Sequence, residues 1–236
     1  MEIKAAVLYE PNTPMVIETL DLEEPKEGEV LVKIAAAGVC HSDFHIMKGE
    51  WTHPLPVVLG HEGAGVVERV GPGVTRMQTG QSVILNFRAN CGTCHYCIIG
   101  RPVLCNGVDA PRNTMFDGTS RLSKNGQTIH HMARTSCFSE YTVVPESGAV
   151  PVRSDMPLDK ACLVGCAVMT GVGAVTNTAR IEAEPHLHAV DDLLDDHIEG
   201  GVDGGIASPL VIVGKTSIVG SPPLQLGQFQ QDLLVG

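Results

Sequence analysis

Two groups of residues in this sequence have the make-up of metal sites. The first is compact: Cys91-Gly92-Thr93-Cys94-His95-Tyr96-Cys97, with Cys105 further along. Three cysteines at CxxCxxC spacing can wrap one ion, and the loop that follows can return a fourth thiolate to close a tetrahedron. Iron–sulfur ligation begins in a similar way, but the longer gap to Cys105 and the lack of a Pro after it break that pattern, so structural zinc is the expected occupant. His95 is expected to be a bystander, because four cysteines already satisfy the ion. The second group is dispersed. Gly38-Val39-Cys40-His41-Ser42-Asp43-Phe44-His45 gathers a thiol, a hydroxyl, a carboxylate and two imidazoles, Gly60-His61-Glu62-Gly63 adds a further imidazole and carboxylate, and Cys166 offers a second thiol. Two Cys and one His make an open zinc site that leaves one tetrahedral position for a substrate oxygen. Asp43 is suited to accept a hydrogen bond from the non-ligating nitrogen of His61, and Glu62 sets a carboxylate beside the metal. A zinc so held acts as a Lewis acid and lowers the pKa of a bound oxygen to ~7.

These residues need a scaffold, and the composition bounds it. The chain has 236 residues, 43% of them hydrophobic and 18% charged, which is enough to bury a core. Aromatic residues make up only 4% while Gly and Pro are plentiful, so the core is expected from Val, Ile, Leu and Ala, in many short strands. A formal net charge of -11 argues against general nucleic-acid binding, and any anionic cofactor must be met by local positive groups. The first ten residues hold no apolar signal-peptide run and no stretch is long enough to span a bilayer, so a cytoplasmic protein with no membrane partner is expected. With eight cysteines, metal ligation is favoured over disulfides, and Cys137 and Cys162, which fall in neither group, are expected to be buried as small hydrophobes.

Strands are expected at residues 3–8, 15–18 and 29–34, an antiparallel opening that delivers Cys40 through the small residues Ala35-Ala36-Ala37-Gly38. Ser42 or Asp43 is expected to cap a short helix ending at Met47. Residues 55–59 deliver His61, residues 63–70 continue as a strand into a Gly71-Pro72-Gly73 turn, and residues 81–87 lead into the cysteine cluster. Residues 106–134 read as an irregular polar lobe, after which residues 137–144 resume the β pattern. Helices are expected at residues 155–163 and 170–179, with Cys166 between them.

In their order and spacing, the motifs AAVLYEP, GEVLVKIAAAGVCHSDFH, LPVVLGHEGAGVVERVGPGV, the four-cysteine lobe and GCAVMTGVGAVTNTA resemble the zinc-dependent medium-chain alcohol dehydrogenases. The resemblance implies a mainly β fold with α, a GroES-like β-barrel catalytic domain over residues 1–180. Position by position, it makes Cys40, His61 and Cys166 the catalytic zinc ligands, with Glu62 beside them, and Cys91, Cys94, Cys97 and Cys105 the structural ones. Ser42 and His45 fall at the proton relay, His41 and Thr170 at contacts to the cofactor, and Trp51 and Phe87 at the substrate pocket. It implies zinc and NAD as cofactors, oxidation of a small-molecule alcohol to an aldehyde or ketone, and a homo-oligomer.

The glycine fingerprint GxGxxG of a dinucleotide-binding domain does not occur in the sequence. Residues 181–236 are therefore expected to be a truncated or internally deleted α/β Rossmann-like remnant, in which Asp191 would be the ribose-binding acid and residues 210–214 or 216–220 a later strand. Three readings stay open at this level: an alcohol dehydrogenase, a catalytically inactive zinc-binding β module left by loss of the cofactor domain, and a zinc site used for hydrolysis through bound water.

Overall fold

A computed structural model describes residues 1–179 together with two strands at 210–213 and 217–218. Five strands close a barrel: β1 (Glu2–Leu8), β2 (Val16–Leu22), β4 (Val57–Val58), β7 (Leu122–Lys124) and β8 (Gln127–His131), in the order β1-β2-β7-β8-β4. All its pairings are antiparallel except β4 with β8, where Val57 and Val58 run parallel to His130 and His131. The alternation in β1 is the reason it lies on the barrel: Ile3, Ala5 and Val7 point into the core while Glu2 and Lys4 face water.

The second sheet is organised on β3 (Glu29–Val39), which is flanked by β5 (Glu62–Val70) and extended through β6 (Ser82–Leu85) and β10 (Ala149–Pro151). On the other edge of β3, β9 (Tyr141–Pro145) covers residues 29–33, and β11 (Leu210–Val213), itself paired with β12 (Ser217–Ile218), covers residues 36–39. Residues 210–213 of the expected later strand are thus a strand, but it lies antiparallel on the sheet of β3. A parallel α/β remnant is not found among the described residues, and Asp191 lies outside them.

Residues 106–134 are not wholly irregular, because β7 and β8 form a hairpin there. Lys124-Asn125-Gly126-Gln127 makes its turn, with Asn125 at φ 49° and Gly126 at φ 79°. Positive φ at both central residues is the geometry that matches strand twist in a two-residue loop, and Asn-Gly is its common sequence. Buried Arg121, just before β7, donates to Glu29 Oε1 and Oε2 at 2.7 and 2.8 Å and to Asp117 at 2.8 Å, tying the start of β3 to the barrel. Its backbone N–H donates to Nε2 of the buried His131 at 3.1 Å.

Among the described residues no single helix is long and apolar enough to cross a membrane. The pair Leu158–Gly165 and Ala167–Thr178 reaches that length and composition only together, across a bend of 54°.

Candidate metal centres

The antiparallel pairing of β3 with β5 assembles the dispersed group. Gly38 at the end of β3 lies opposite Glu62 at the start of β5, so the residues just beyond, Cys40 and His61, leave the sheet side by side. A Cβ at Gly38 would stand 2.6 Å from Glu62 Oε2, so the glycine leaves the space that the Glu62 carboxylate occupies. Small residues Ala36, Ala64, Ala161 and Cys162 fill the space beneath, joining β3 and β5 to α3 (Leu158–Ala161; a four-residue α2, His95–Ile98, precedes it in the chain) and to the 3-10 turn Cys162–Gly165. That turn ends at Cys166. The chain presses on β6 closely there, since a Cβ on Gly165 would sit 2.2 Å from Leu85 O.

Donor atoms of Cys40, His61, Glu62 and Cys166 all lie within 4.8 Å of one another. Asp43, fully buried in α1 (His41–Met47), holds the arrangement: its Oδ2 accepts from the Cys40 N–H at 3.0 Å and its Oδ1 from the Gly60 N–H at 2.9 Å. The helix cap is therefore Cys40 itself, with Asp43 reaching back to it from the first turn, rather than Ser42 or Asp43 capping. Asp43 Oδ1 also stands 3.4 Å from His61 Nδ1, an electrostatic contact rather than a well-formed hydrogen bond. Glu62 Oε2 is buried with no hydrogen-bond partner.

The charges in this group are under tension. A hydrogen bond from Cys166 draws the Cys40 thiol down to about 3 despite burial, with His61 and Ser42 adding to the effect. The same bond, with burial and the Cys40 charge, holds Cys166 protonated well above the usual thiol range. Burial opposes a charge on His61, yet Asp43 and Cys40 together raise it to about 10. Burial and the Cys40 charge raise Glu62 to about 7. Two sulfurs, an imidazole nitrogen and a buried carboxylate with one unpartnered oxygen crowded together form a donor set that suits a divalent cation such as zinc.

Cys91, Cys94, Cys97 and Cys105 also come together within 4.8 Å, on the lobe that α2 and the following 3-10 turn build. Their sulfurs stand 3.5 Å (Cys94–Cys97), 3.6 Å (Cys91–Cys105) and 3.9 Å (Cys94–Cys105) apart. A tetrahedron with zinc–sulfur bonds of about 2.3 Å has edges of about 3.8 Å, whereas a disulfide needs about 2.05 Å. The spacing thus suits one shared ion. Backbone N–H groups of Cys91 and Cys94 donate to Cys105 and Cys91 sulfurs at 3.3 Å each, and Gly107 packs so closely that its Cβ would meet Cys91 Sγ at 2.6 Å.

The remaining expected site residues are distributed unevenly. Ser42 Oγ lies 3.7 Å from Cys40 Sγ. His45 stacks on Trp51 with ring centroids 4.7 Å apart, meets His41 edge-on at 4.5 Å, and bonds through Nδ1 to Glu50. Among the described residues no hydrogen bond joins Ser42 to His45, although their i, i+3 spacing puts both on one helix face. Glu50, past the end of α1, was not legible as a partner, because it meets His45 only after the chain turns at Gly49. His41 is exposed on α1, and Thr170 is exposed on α4 (Ala167–Gly173). Phe87 sets its ring edge-on to His61 at 5.6 Å. Cys137 and Cys162 are buried, as expected.

Comparison with known proteins places this geometry. The family model for the alcohol dehydrogenase GroES-like domain matches residues 26–154. The chain is 46% identical over 185 residues to the S-(hydroxymethyl)glutathione dehydrogenase of Synechocystis sp., which covers 77% of this chain and 50% of that protein. Among solved structures, an alcohol dehydrogenase zinc-binding domain protein from Burkholderia ambifaria superposes with a TM-score of 0.72 at 34% identity, covering 78% of this chain and 50% of that one. The acetophenone reductase of Geotrichum candidum, solved in complex with NAD, gives 0.60 at 27% identity, covering 77% and 48%. This chain spans about half the length of the relatives it matches. With the family model matching more than half of its length, the chain belongs to the medium-chain alcohol dehydrogenase family, of which it carries the GroES-like domain.

Proposed function

We propose that this chain carries the zinc-binding half of a dehydrogenase that oxidises a small-molecule alcohol to an aldehyde or ketone with NAD. The observation that carries the proposal is the convergence of Cys40, His61, Glu62 and Cys166 donors within 4.8 Å. Cys40, His61 and Cys166 would hold one zinc with Glu62 as a further donor, and Cys91, Cys94, Cys97 and Cys105 a second. When bound, the first zinc polarises the substrate oxygen as a Lewis acid, and NAD is the hydride acceptor. Asp43 fixes the imidazole of His61 and the backbone of Cys40, so both ligands are preset. Ser42, beside Cys40, takes the alcohol proton and passes it to His45 at the helix surface. Glu50 is bonded to His45 Nδ1 and orients the ring. Trp51 and Phe87 bound an apolar substrate pocket. His41, Thr170 and Asp191 are assigned to the cofactor, and residues 1–180 and 181–236 are the two units of this reading, in a cytoplasmic protein able to form homo-oligomers. NAD in the Geotrichum relative supports the choice of acceptor.

NADH binding to the intact chain, followed by its fluorescence, tests the proposal most directly. Alcohol-dependent NADH production, lost on Cys40→Ala or His61→Ala, is the expected companion result. A folded chain holding two zinc ions that neither binds NADH nor turns over alcohols would overturn it.

A further inference from the structure

A second site lies away from the Cys40 group. The segment after β6, the four-cysteine lobe and the turn at Arg134 enclose a pocket of about 260 Å³. Three arginines line it, Arg88, Arg112 and Arg134, and no acidic side chain does. In a chain whose net charge is -11, that is a local reversal of sign.

Arg134 is the centre of the inference. It is 6% exposed, and its Nε is buried with no hydrogen-bond partner. One terminal nitrogen donates to the carbonyls of Ala110 at 2.6 Å and Pro111 at 3.1 Å, and the guanidinium lies 5.1 Å from the Phe116 ring. Carbonyls and a ring orient the group without neutralising it. Arg121 is the internal comparison: at 1% exposure it is met by the carboxylates of Glu29 and Asp117. Among the described residues no carboxylate pairs with Arg134, Arg88 or Arg112. Cys105, one of the four clustered cysteines, also lines the pocket. Arg88 is turned onto Val103 O through Nε, at 3.1 Å, and through a terminal nitrogen, while Arg112 is exposed.

A buried guanidinium is stable when an anion meets it, and a fork of planar donors is suited to an oxyanion. We propose that this pocket binds a small oxyanion, a phosphate or a carboxylate group, received by Arg134 with Arg88 and Arg112 around it. Its volume is several times the roughly 30 Å³ share of one water, so such a group fits with part of its hydration. Phe87 lines the pocket and also sets its ring edge-on to His61, with centroids 5.6 Å apart.

Calorimetric titration of the zinc-loaded full chain with inorganic phosphate, and separately with acetate, tests this and needs no turnover, so its failure is distinct from failure of the dehydrogenase reading. Binding in the millimolar range or tighter, weakened by added chloride salt, is expected for at least one of them, and the stronger of the two identifies the chemistry of the natural group. Arg112→Ala, at an exposed position, should weaken binding by about tenfold, the scale of one lost charged contact. Arg134→Gln should abolish it, and where that variant does not fold, Arg112→Ala together with Arg88→Gln decides. Absence of binding by both anions overturns the proposal and leaves Arg134 as a counter-charge to the thiolates, and so does binding that neither Arg112→Ala nor Arg88→Gln alters.

Discussion

Single residues in this chain act by holding one another in place, and Asp43 is the clearest case. Its two oxygens take the N–H groups of Cys40 and Gly60 and face His61, so one buried carboxylate sets both ends of a metal centre. Asp43→Asn keeps the volume but turns one acceptor into a donor. We expect metal affinity at the Cys40 centre to fall about 10- to 100-fold, read by competition with a chelator, while the four-cysteine centre keeps its ion. The two centres are independent in a second respect. Wild-type protein should carry two zinc ions, Cys166→Ser should lower the content to one, and so should Cys97→Ser, as measured by elemental analysis; a single ion in the wild type would contradict both assignments. At this scale most of the site was legible. Cys40, His61, Glu62 and Cys166 converge, and so do the four cysteines, as the residue types and motifs in the sequence suggest. Glu50 and the unpaired guanidinium of Arg134 were not legible, because each depends on a partner, present or missing, that only folding brings near.

At the scale of elements, the site depends on close approach of backbones. The turn Cys162–Gly165 presents Cys166 by pressing against β6, and Gly165 is the point of contact, with Leu85 O only 2.2 Å from where a Cβ would stand. Gly165→Ala must therefore push the turn and Cys166 outward. We expect a loss of stability of about 1–3 kcal/mol in denaturant unfolding, with weaker metal retention at the Cys40 centre and no change at the cysteine lobe. Stability equal to wild type would mean that the turn can move freely, contrary to its packing. The β7–β8 hairpin shows the opposite relation between sequence and element. Its Asn125-Gly126 turn follows a local rule that needs no tertiary contact, and the segment was read as irregular because the strands on either side are only three and five residues long. Short strands carry too little alternation to stand out from polar loop. Their partners β2 and β4, distant in sequence, make them strands.

For the whole molecule, the barrel buries groups whose protonation is set by folding. His131 is fully buried between the Arg121 N–H and the Ser136 hydroxyl, and burial, with the charges of Arg121, His130 and Arg134, pushes it down from 6.5 to about 3. In the unfolded chain the same imidazole takes up a proton near 6.5. The unfolded state thus binds more protons between those two values, and stability must fall as pH drops through that window, by at most about 1.4 kcal/mol per pH unit for this one group. Unfolding followed from pH 7 to pH 4 should show a slope that is shallower by about one proton in His131→Gln than in wild type. An unchanged slope would place the acid sensitivity in the carboxylates or in metal release.

The sequence by itself determined the family, the members of the two donor clusters, the antiparallel opening and the helix that follows Cys40, because donor spacing, strand alternation and helix signals are written in neighbouring residues. The tertiary structure alone decided what those pieces meet. It placed the unpaired Oε2 of Glu62 beside two thiols, joined Glu50 to His45, laid residues 210–213 antiparallel along the free edge of β3, and left Arg134 buried without a carboxylate. The physical reason is the same in each case: hydrogen bonding, desolvation and charge compensation act through space, and the groups they couple are set by the packing of strands that are far apart along the chain.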